Sequence, residues 1–236
     1  MPVTDSPLIW ERPEPTERRR PSPLSRERIV RAAIDLADAD GLDAVSLRKV
    51  AGALDAGPMR LYRYVDTKDE LLTLMVDAAY AEVPAPAGAT WDAVLRSIAT
   101  GIRGVALRHE WFAELLGGRP HLGPATLAHG EASLTALRST GLDDLGTVTG
   151  ALAALNVYVI GAVRKEVAER RAQRASGLDQ RQWQHATAPY LLRMFATGDY
   201  PAMEEWVHDA PHLQADEVFE LGLTYLLEGI RSSLGT

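Results

Sequence analysis

Apolar residues recur at helical spacing throughout this chain, and the clearest case lies between residues 42 and 72. Leu47, Val50, Ala51 and Leu54 stand at positions i, i+3, i+4 and i+7, so they share one face of a short helix. We find no segment with the strict alternation of a half-buried strand. The pattern therefore predicts an all-α fold.

Start and stop signals divide this stretch into short helices. Ser46 is an N-cap residue, whose hydroxyl accepts a backbone N–H at the helix start. The apolar pattern breaks at residues 55–57, and Pro58 restarts it at a first-turn position where its missing N–H costs nothing. Thr67 and Glu70 form a capping box that begins a further helix. The sequence thus predicts two helices joined by a tight turn, followed by a third helix.

The second of these helices, predicted over residues 58–64, is unusual in what it exposes. Leu61 and Val65 are spaced to face inward, whereas Arg60 and Arg63 fall on the outer surface. A short solvent-facing helix that carries Arg and Tyr and is held between two others is typical of a helix-turn-helix. Such a unit reads the major groove of DNA.

Composition divides the chain into three parts. Residues 1–24 contain six prolines and no periodicity, so we expect a disordered, Pro- and Arg-rich arm. Residues 25–83 are predicted to form the DNA-binding domain with its connecting helix, and a Pro/Ala/Gly-rich run then marks a boundary. Residues 84–236 are predicted to form a helical domain for effector binding and dimerisation. The other helices are predicted over residues 25–40, 68–83, 91–109, 111–116, 124–139, 143–175, 180–195 and 216–234, with a short turn at 199–201.

The overall charge is not that of a typical DNA-binding protein. The 236 residues carry a formal charge of −7, but residues 17–31 hold six Arg against two Glu. Because salt screens charges beyond about 10 Å, a local cationic patch matters more than the total. The arginine run at residues 18–20 has two interpretations, a solvated linker or an arm that contacts phosphates or the minor groove.

Several classes of function lack support in the sequence. The absence of cysteine excludes disulfides, thiolate metal sites and cysteine nucleophiles. We see no signal-peptide core, and the apolar run 151–163 is too short to span a bilayer, so we expect a cytoplasmic protein without membrane contact. Glu205 and His208 are half of a di-iron motif that lacks its second copy, and we interpret them as a solvated helix end. Motifs for metalloproteases, serine hydrolases and phosphate loops are missing, so we predict no enzyme, no cofactor and no metal site.

The segment SLRKVAGALDAGPMRLYRYVDTKDELL, residues 46–72, resembles the DNA-binding region of the tetracycline-repressor (TetR) family of bacterial transcription regulators. Two positions depart from the family pattern. Asp55 replaces the usual Gly of the turn, and Asp tolerates a left-handed backbone. Gly57 replaces a common Ser or Thr cap, so we expect the reading helix to be less firmly capped. Looser matches at residues 156–161, 197–201 and 219–231 resemble the effector domain of the tetracycline-repressor branch.

The resemblance implies a homodimeric repressor on a palindromic double-stranded operator, with assigned roles for the helix-turn-helix. Arg48 and Arg60 would read bases, because Arg matches the O6 and N7 acceptors of guanine, and Pro58 and Met59 would contact thymine methyl groups. For Arg63, a DNA contact and a solvated position remain open. The phosphate contacts would come from Ser46, Tyr62, Tyr64 and Lys68, with a half-buried core ring as the alternative for Tyr62.

Two helices are candidates for the dimer interface. Residues 143–175 and 216–234 are apolar on more than one face, which burial against a single neighbour does not require. Gly146 and Gly150 lie one turn apart and permit a close helix approach. We interpret these helices as half of a two-fold four-helix bundle, as the resemblance also implies. The alternative is burial of both helices within their own domain.

We expect a small apolar or amphipathic effector to bind in the C-terminal domain and shift the dimer toward a state that no longer matches the operator. The candidate wall residues are aromatic or amphipathic groups that would serve equally well in a core: His109, Trp111, Leu115, Asn156, Trp183, Tyr190 and Met194. One rival interpretation is a helical ligand carrier or enzyme with an incidental N-terminal three-helix unit, which predicts no sequence-specific DNA affinity. A second is an activator or nucleoid-type DNA binder.

Overall fold

A computed structural model describes residues 7–15, 23–211 and 213–234. Over these residues the chain forms eleven α-helices and one 3₁₀ turn, without a strand, so the prediction of an all-α fold is confirmed. The arginine run at 18–20 lies outside the described residues. Packing divides the chain into two compact units, Met1–Val163 and Arg164–Thr236.

The first unit begins with the helices of the predicted DNA-binding domain. They are α1 (Arg26–Asp40), α2 (Leu47–Ala53), α3 (Pro58–Leu61) and α4 (Lys68–Tyr80). Ser25 caps α1 by accepting the backbone N–H of Arg28 at 3.2 Å, and Gly41 ends it with a φ of +81°. The reading helix α3 is only four residues long, and a hydrogen-bonded turn over residues 62–64 replaces the helix predicted to continue to residue 64.

Four further helices complete the first unit: α5 (Trp91–Arg108), α6 (Glu110–Leu115), α7 (Pro124–Ser139) and the beginning of α8 (Leu145–Ser176). The helix α4 packs against α5, α6 and α7, and α1 packs against α6. The connecting helix α4 is therefore shared between the DNA-binding helices and those that follow them. Its buried residues are Leu71, Leu74, Met75, Val76, Asp77 and Ala79.

The second unit contains the end of α8, followed by α9 (Gln180–Phe195), α10 (Pro201–Asp209) and α11 (Ala215–Leu234). The helix α10 differs from the prediction of only a short turn at residues 199–201. Pro201 stands at its first position, where proline's fixed φ favours a helix start, and none of its residues is buried. Its apolar residues Met203, Trp206 and Val207 do recur at helical spacing, but no neighbouring element of the described chain buries them.

The helices α8 and α11 each bury one apolar stripe and expose another. In α11, Phe219, Leu223 and Leu227 are buried, whereas Val218, Leu221 and Tyr225 are exposed on a different face. In α8, the buried residues follow one stripe with helical spacing, and Val157 between them is 74 % exposed. The buried residues of α8 are Val148, Ala151, Leu155, Val159, Val163 and Val167.

By length and composition alone, α8 is long and apolar enough to cross a membrane, which the 13-residue run noted in the sequence did not suggest. Its most apolar 18-residue window has a mean hydropathy of 1.6 and is only 28 % buried. Core helices of soluble proteins have the same composition. Because so little of this window is buried, part of the apolar surface of α8 is not covered by the rest of the chain.

A buried carboxylate on α4 holds the beginning of α7. Asp77, 8 % exposed, accepts backbone N–H bonds from Ala125 at 3.2 Å and Thr126 at 2.8 Å, and a bond from the Thr126 hydroxyl at 2.9 Å. A side chain at Gly123 would collide with this carboxylate, so the close approach requires glycine there. Asp77 thus supplies from another helix the cap that α7 lacks in its own sequence.

We expect Asp77→Ala to lower the free energy of unfolding by about 1–3 kcal/mol, because three donors at the start of α7 lose their acceptor. Urea denaturation of the full-length protein measures this change. Glu131→Ala, which removes an exposed carboxylate from α7, is the control and should change stability by less than about 0.5 kcal/mol. Equal effects of the two substitutions would contradict the assigned role of Asp77.

Candidate nucleic-acid interface

The candidate reading surface is the outer face of the single turn α3. Met59 is 77 % exposed and Tyr62, directly after the helix, is 46 % exposed, while Leu61 and Val65 are fully buried beneath them. A helix of one turn is unstable in isolation, because nucleation is not repaid by propagation. The buried side chains below α3 must therefore hold it in place.

The turn before α3 uses the two residues that depart from the family pattern. Asp55 has a φ of +49°, which confirms the prediction of a left-handed backbone at that position. Gly57 precedes α3 in an extended conformation and offers no side-chain cap, as expected. Pro58 occupies the first helical position and is exposed, so its ring is available for an apolar contact.

The helix before α3 adds cations to the same region. Ser46 caps α2 by accepting the backbone N–H of Lys49 at 3.2 Å. Arg48 and Lys49 are both exposed, whereas Arg60 is half-buried. Arg48, the predicted base-reading arginine on α2, is thus available to a ligand, whereas Arg60, its counterpart on α3, is partly covered.

The helix after α3 is α4, and a side-chain cap begins it. The Thr67 hydroxyl accepts the Glu70 backbone N–H at 3.1 Å, and the Glu70 carboxylate accepts the Asp66 backbone N–H at 2.7 Å. The predicted capping box is therefore present, with its return bond one residue earlier than in the usual pattern. Lys68 is exposed at the first position of α4, where its charge and the helix dipole both attract phosphate.

The prediction of a phosphate contact by Tyr64 is wrong. Tyr64 is 1 % exposed and lies in the core beneath the reading surface, because it stands three residues after Leu61 and one before Val65, on the same inward face as both. The prediction had grouped Tyr64 with the outward-facing residues although this spacing favours burial. Tyr62 is the tyrosine that remains accessible.

The N-terminal segment also differs from its prediction. We call residues 7–15, which were expected to belong to a disordered arm, the N-terminal strap. Ile9 within it is 4 % exposed, and Arg12 forms ion pairs with the carboxylates of Asp66 and Glu70. The signal that could have revealed it is the apolar triplet at residues 8–10, which a solvated arm does not need.

Arg26, at the start of α1, joins the strap to the reading unit. Its Nη1 donates to the Arg12 carbonyl at 2.6 Å, its Nε donates to the Tyr64 carbonyl at 3.2 Å, and its backbone N–H donates to Glu14 at 3.2 Å. These bonds connect the strap, α1 and the residues that follow α3. Sequence reasoning had treated Arg26 only as part of the cationic patch.

Two of the candidate effector residues lie instead in a buried polar cluster within the first unit. Trp111 is 1 % exposed and donates its indole N–H to Asp38 of α1 at 2.7 Å. His109 is 8 % exposed, with Nδ1 at 2.9 Å from the Asp38 carboxylate and Nε2 at 3.2 Å from Glu82. The two rings use their polar atoms to join α1, the end of α4 and α6, and their role in an effector site stays a prediction.

The other candidate wall residues differ widely in exposure. In the first unit, Leu115 is half-buried and Asn156 is exposed on α8. In the second unit, Trp183 and Tyr190 on α9 are each 57 % exposed, and Met194 is half-buried. Of the predicted set, His109 and Trp111 form one cluster, and Trp183, Tyr190 and Met194 share one helix.

An aromatic cluster that the sequence did not indicate connects α4, α6 and α7. The Tyr80 ring stacks edge-on against Phe112 at 5.3 Å and lies 5.9 Å from the ring of His129. Burial raises the pKa of Tyr80 and lowers the pKa of His129, so both groups are neutral near pH 7. The cluster is thus apolar, with a few polar atoms at its edge.

Comparisons with known proteins agree with this geometry. Residues 83–234 match the family model described as "Tetracyclin repressor-like, C-terminal domain". The HTH-type transcriptional repressor DrrR1 of Streptomyces coeruleorubidus is 36 % identical over 226 residues, covering 94 % of this chain and 83 % of that protein. An HTH-type transcriptional regulator of Saccharopolyspora erythraea is 36 % identical over 230 residues, covering 96 % of this chain and 92 % of its own length.

The chain belongs to the TetR family of transcriptional regulators. Among solved structures, apo ActR from Streptomyces coelicolor superposes with a TM-score of 0.74 at 29 % identity, covering 91 % of this chain and 98 % of ActR. ActR in complex with actinorhodin gives a TM-score of 0.73 at 29 % identity over 90 % of this chain and 97 % of ActR. Proteins of the TetR family are regulators rather than enzymes. Among the described residues, no three His, Cys, Asp or Glu side chains lie close enough to hold a metal ion.

The two neighbouring tyrosines provide a test of this TetR-family reading unit. Tyr62→Ala should leave thermal stability nearly unchanged and weaken DNA binding, because it removes an exposed ring. Tyr64→Ala should lower the free energy of unfolding by about 3–5 kcal/mol, because it empties a core position. Thermal unfolding and fluorescence anisotropy with labelled DNA measure both effects, and a stable Tyr64→Ala protein with reduced affinity would restore Tyr64 to the contact surface.

Proposed function

We propose that this protein is a homodimeric transcriptional repressor that a small molecule releases from a palindromic operator. The observation that carries the proposal is the exposed face of α3, flanked by exposed cations on α2 and by the positive end of α4. Two-fold symmetry then requires half-sites about 34–36 Å apart or a multiple of that distance. Family membership and the relatives named as repressors support this function.

Within this proposal the exposed residues divide into base readers and phosphate contacts. Arg48 reads a guanine, and Pro58 and Met59 contact thymine methyl groups in the major groove. Arg60 contributes a second guanine contact once its half-buried side chain extends. The backbone contacts, which set the register without reading sequence, come from Ser46, Tyr62 and Lys68.

Arg48→Ala and Lys68→Ala separate these two roles. On an operator selected from random DNA, Arg48→Ala should cost about 1–3 kcal/mol and relax the preference at one base position. Lys68→Ala should weaken binding to all duplexes alike and reduce the slope of log K against log salt by about one. Equal losses on operator and random DNA for Arg48→Ala would exclude it from the base readers.

We propose that the dimer interface consists of the helices predicted at residues 143–175 and 216–234, observed as α8 and α11. Supporting this are the exposed stripe of Val218, Leu221 and Tyr225 on α11 and the 74 % exposed Val157 on α8. An apolar surface of this kind calls for a cover. In proteins that bind DNA as dimers, a second subunit covers such a surface. A DNA-binding role therefore favours a second subunit in the cytoplasm over a lipid bilayer as the partner of this surface.

Replacing Leu221 and Tyr225 together by Glu should convert the dimer to a monomer and abolish operator binding, because one reading head supplies half of the contacts. Sedimentation equilibrium and anisotropy measure the two effects. Leu127→Glu on α7, where the leucine is 57 % exposed, is the matched control and should remain dimeric. A double variant that stays dimeric would contradict the proposed interface.

We propose that the effector is an apolar or amphipathic small molecule with aromatic rings. ActR, a structural relative at 28–29 % identity, has been crystallised with actinorhodin and with (S)-DNPA. In this chain Tyr80 and His129 are half-buried and neutral, and their rings pack in a cluster with the buried Phe112, so the accessible edges of the two outer rings suit such a ligand. The candidate wall residues remain those predicted: His109, Trp111, Leu115, Asn156, Trp183, Tyr190 and Met194.

The experiment that tests the whole proposal begins by selecting operators from random DNA with the purified protein. A palindromic consensus that binds in the nanomolar range, followed by release with one member of an aromatic compound panel, is the expected result. Affinity that does not depend on sequence would instead favour a nucleoid-type binder. Tight operator binding with promoter stimulation would favour an activator.

A further inference from the structure

The N-terminal strap contacts the reading unit at a position where negative charge is unfavourable for DNA binding. Asp66 and Glu70 stand around the first turn of α4, and the Asp66 side chain is 60 % exposed. Asp66 lies between Tyr62 and Lys68 in sequence, which are two of the three residues assigned to phosphate contacts. A carboxylate within about 10 Å of a phosphate repels it, because screening is incomplete at that distance.

Arg12 is the cation that compensates these carboxylates. It pairs with Asp66, and its second terminal nitrogen lies 2.6 Å from Glu70 Oε2. Its side chain is 22 % exposed, which is less than is usual for an arginine on a flexible arm. Arg12 therefore lies in a fixed place beside the turn instead of extending into solvent.

Contacts of the strap backbone also hold Arg12 in this position. Ile9 is buried, and the Leu8 and Glu11 backbones close a turn with a hydrogen bond of 2.9 Å. The Arg12 carbonyl accepts Arg26 Nη1 at 2.6 Å, and the same Arg26 holds the Tyr64 carbonyl. One short segment thus ties α1 to the residues on both sides of the turn between α3 and α4.

We propose that Arg12 is a positioning residue for operator binding, which holds the turn after the reading helix in place and offsets the charge of Asp66 and Glu70 beside the DNA phosphates. This inference rests on the proposed repressor function. It gives the strap a role that does not require Arg12 to touch DNA. Removing Arg12 leaves both carboxylates uncompensated beside the predicted path of the duplex, and removing a carboxylate as well relieves that repulsion.

The test is a double-mutant cycle on the full-length protein with its selected operator. Arg12→Gln should weaken operator binding about tenfold, in the range expected for a charge at the rim of an interface. The double variant Arg12→Gln with Asp66→Asn should recover most of that loss, because the two residues act as a pair. Arg12→Lys keeps the charge but offers one terminal nitrogen in place of two, so it should lose less affinity than Arg12→Gln without reaching the wild-type value.

Controls separate positioning from general destabilisation. Arg138→Gln removes an exposed cation from the end of α7 and should leave operator affinity unchanged. Thermal unfolding should show Arg12→Gln folded at the assay temperature, since a half-exposed ion pair contributes little stability. The loss of affinity caused by Arg12→Gln should become smaller as salt is raised, since the added ions screen the repulsion between the carboxylates and the phosphates.

Three results would overturn the proposal. The first is an equal loss from Arg12→Gln in the wild-type and Asp66→Asn backgrounds, which would indicate an independent DNA contact. The second is an unchanged affinity of Arg12→Gln, and the third is a loss that follows the unfolded fraction alone. Failure of the wild-type protein to select any operator would refute the repressor function itself, and that outcome is visible before any variant is made.

Discussion

The constraint on which this structure depends is that its reading helix is too short to form by itself. α3 is one turn long, and a single turn fixes more backbone angles than its hydrogen bonds repay. Its geometry must therefore be fixed by the side chains packed beneath it and by the segments on either side of it. Leu61, Tyr64 and Val65 pack beneath it, and the cap of α4 follows immediately.

The strap and α1 extend this support to the other side of the turn. Arg26 binds the Tyr64 carbonyl, and Arg12 binds the carboxylates that begin α4. Each of these contacts is modest alone, because a single hydrogen bond or a partly exposed ion pair contributes about 1 kcal/mol. Together they define the orientation of a small surface that must match the major groove, so their effect is on recognition more than on stability.

The connecting helix α4 links this surface to the remainder of the first unit. Lys68 lies in the first turn of α4, and Asp77 in its C-terminal half accepts hydrogen bonds from the start of α7. Glu82, just after α4, contacts His109. Asp38 of α1 bonds to Trp111 in the same cluster. A displacement of α6 or α7 would therefore reach the DNA-binding helices through named polar contacts, which gives an effector a physical route to the reading surface.

Local sequence signals predicted much of this architecture, whereas the strap depends on long-range contacts. The helices predicted over residues 124–139 and 180–195 begin and end where the structure has them, and Asp55 adopts its expected left-handed turn. Tyr64 was misplaced although its spacing from Leu61 and Val65 is that of one helix face, so this signal was present in the sequence. The partners of Arg12 lie 54 and 58 residues away in the sequence, so no local pattern could reveal the strap.

An acidic chain can bind DNA if its cations are concentrated on one surface. A second subunit must then place the same surface at a distance that matches the helical repeat of DNA. The most direct test of this claim is the affinity of the protein for operators whose half-sites are moved apart. Inserting about 5 bp, half a helical turn, should abolish specific binding by rotating one half-site away, while an unmodified operator binds tightly. Unchanged affinity for the 5-bp insertion would contradict a rigid dimer with two reading heads.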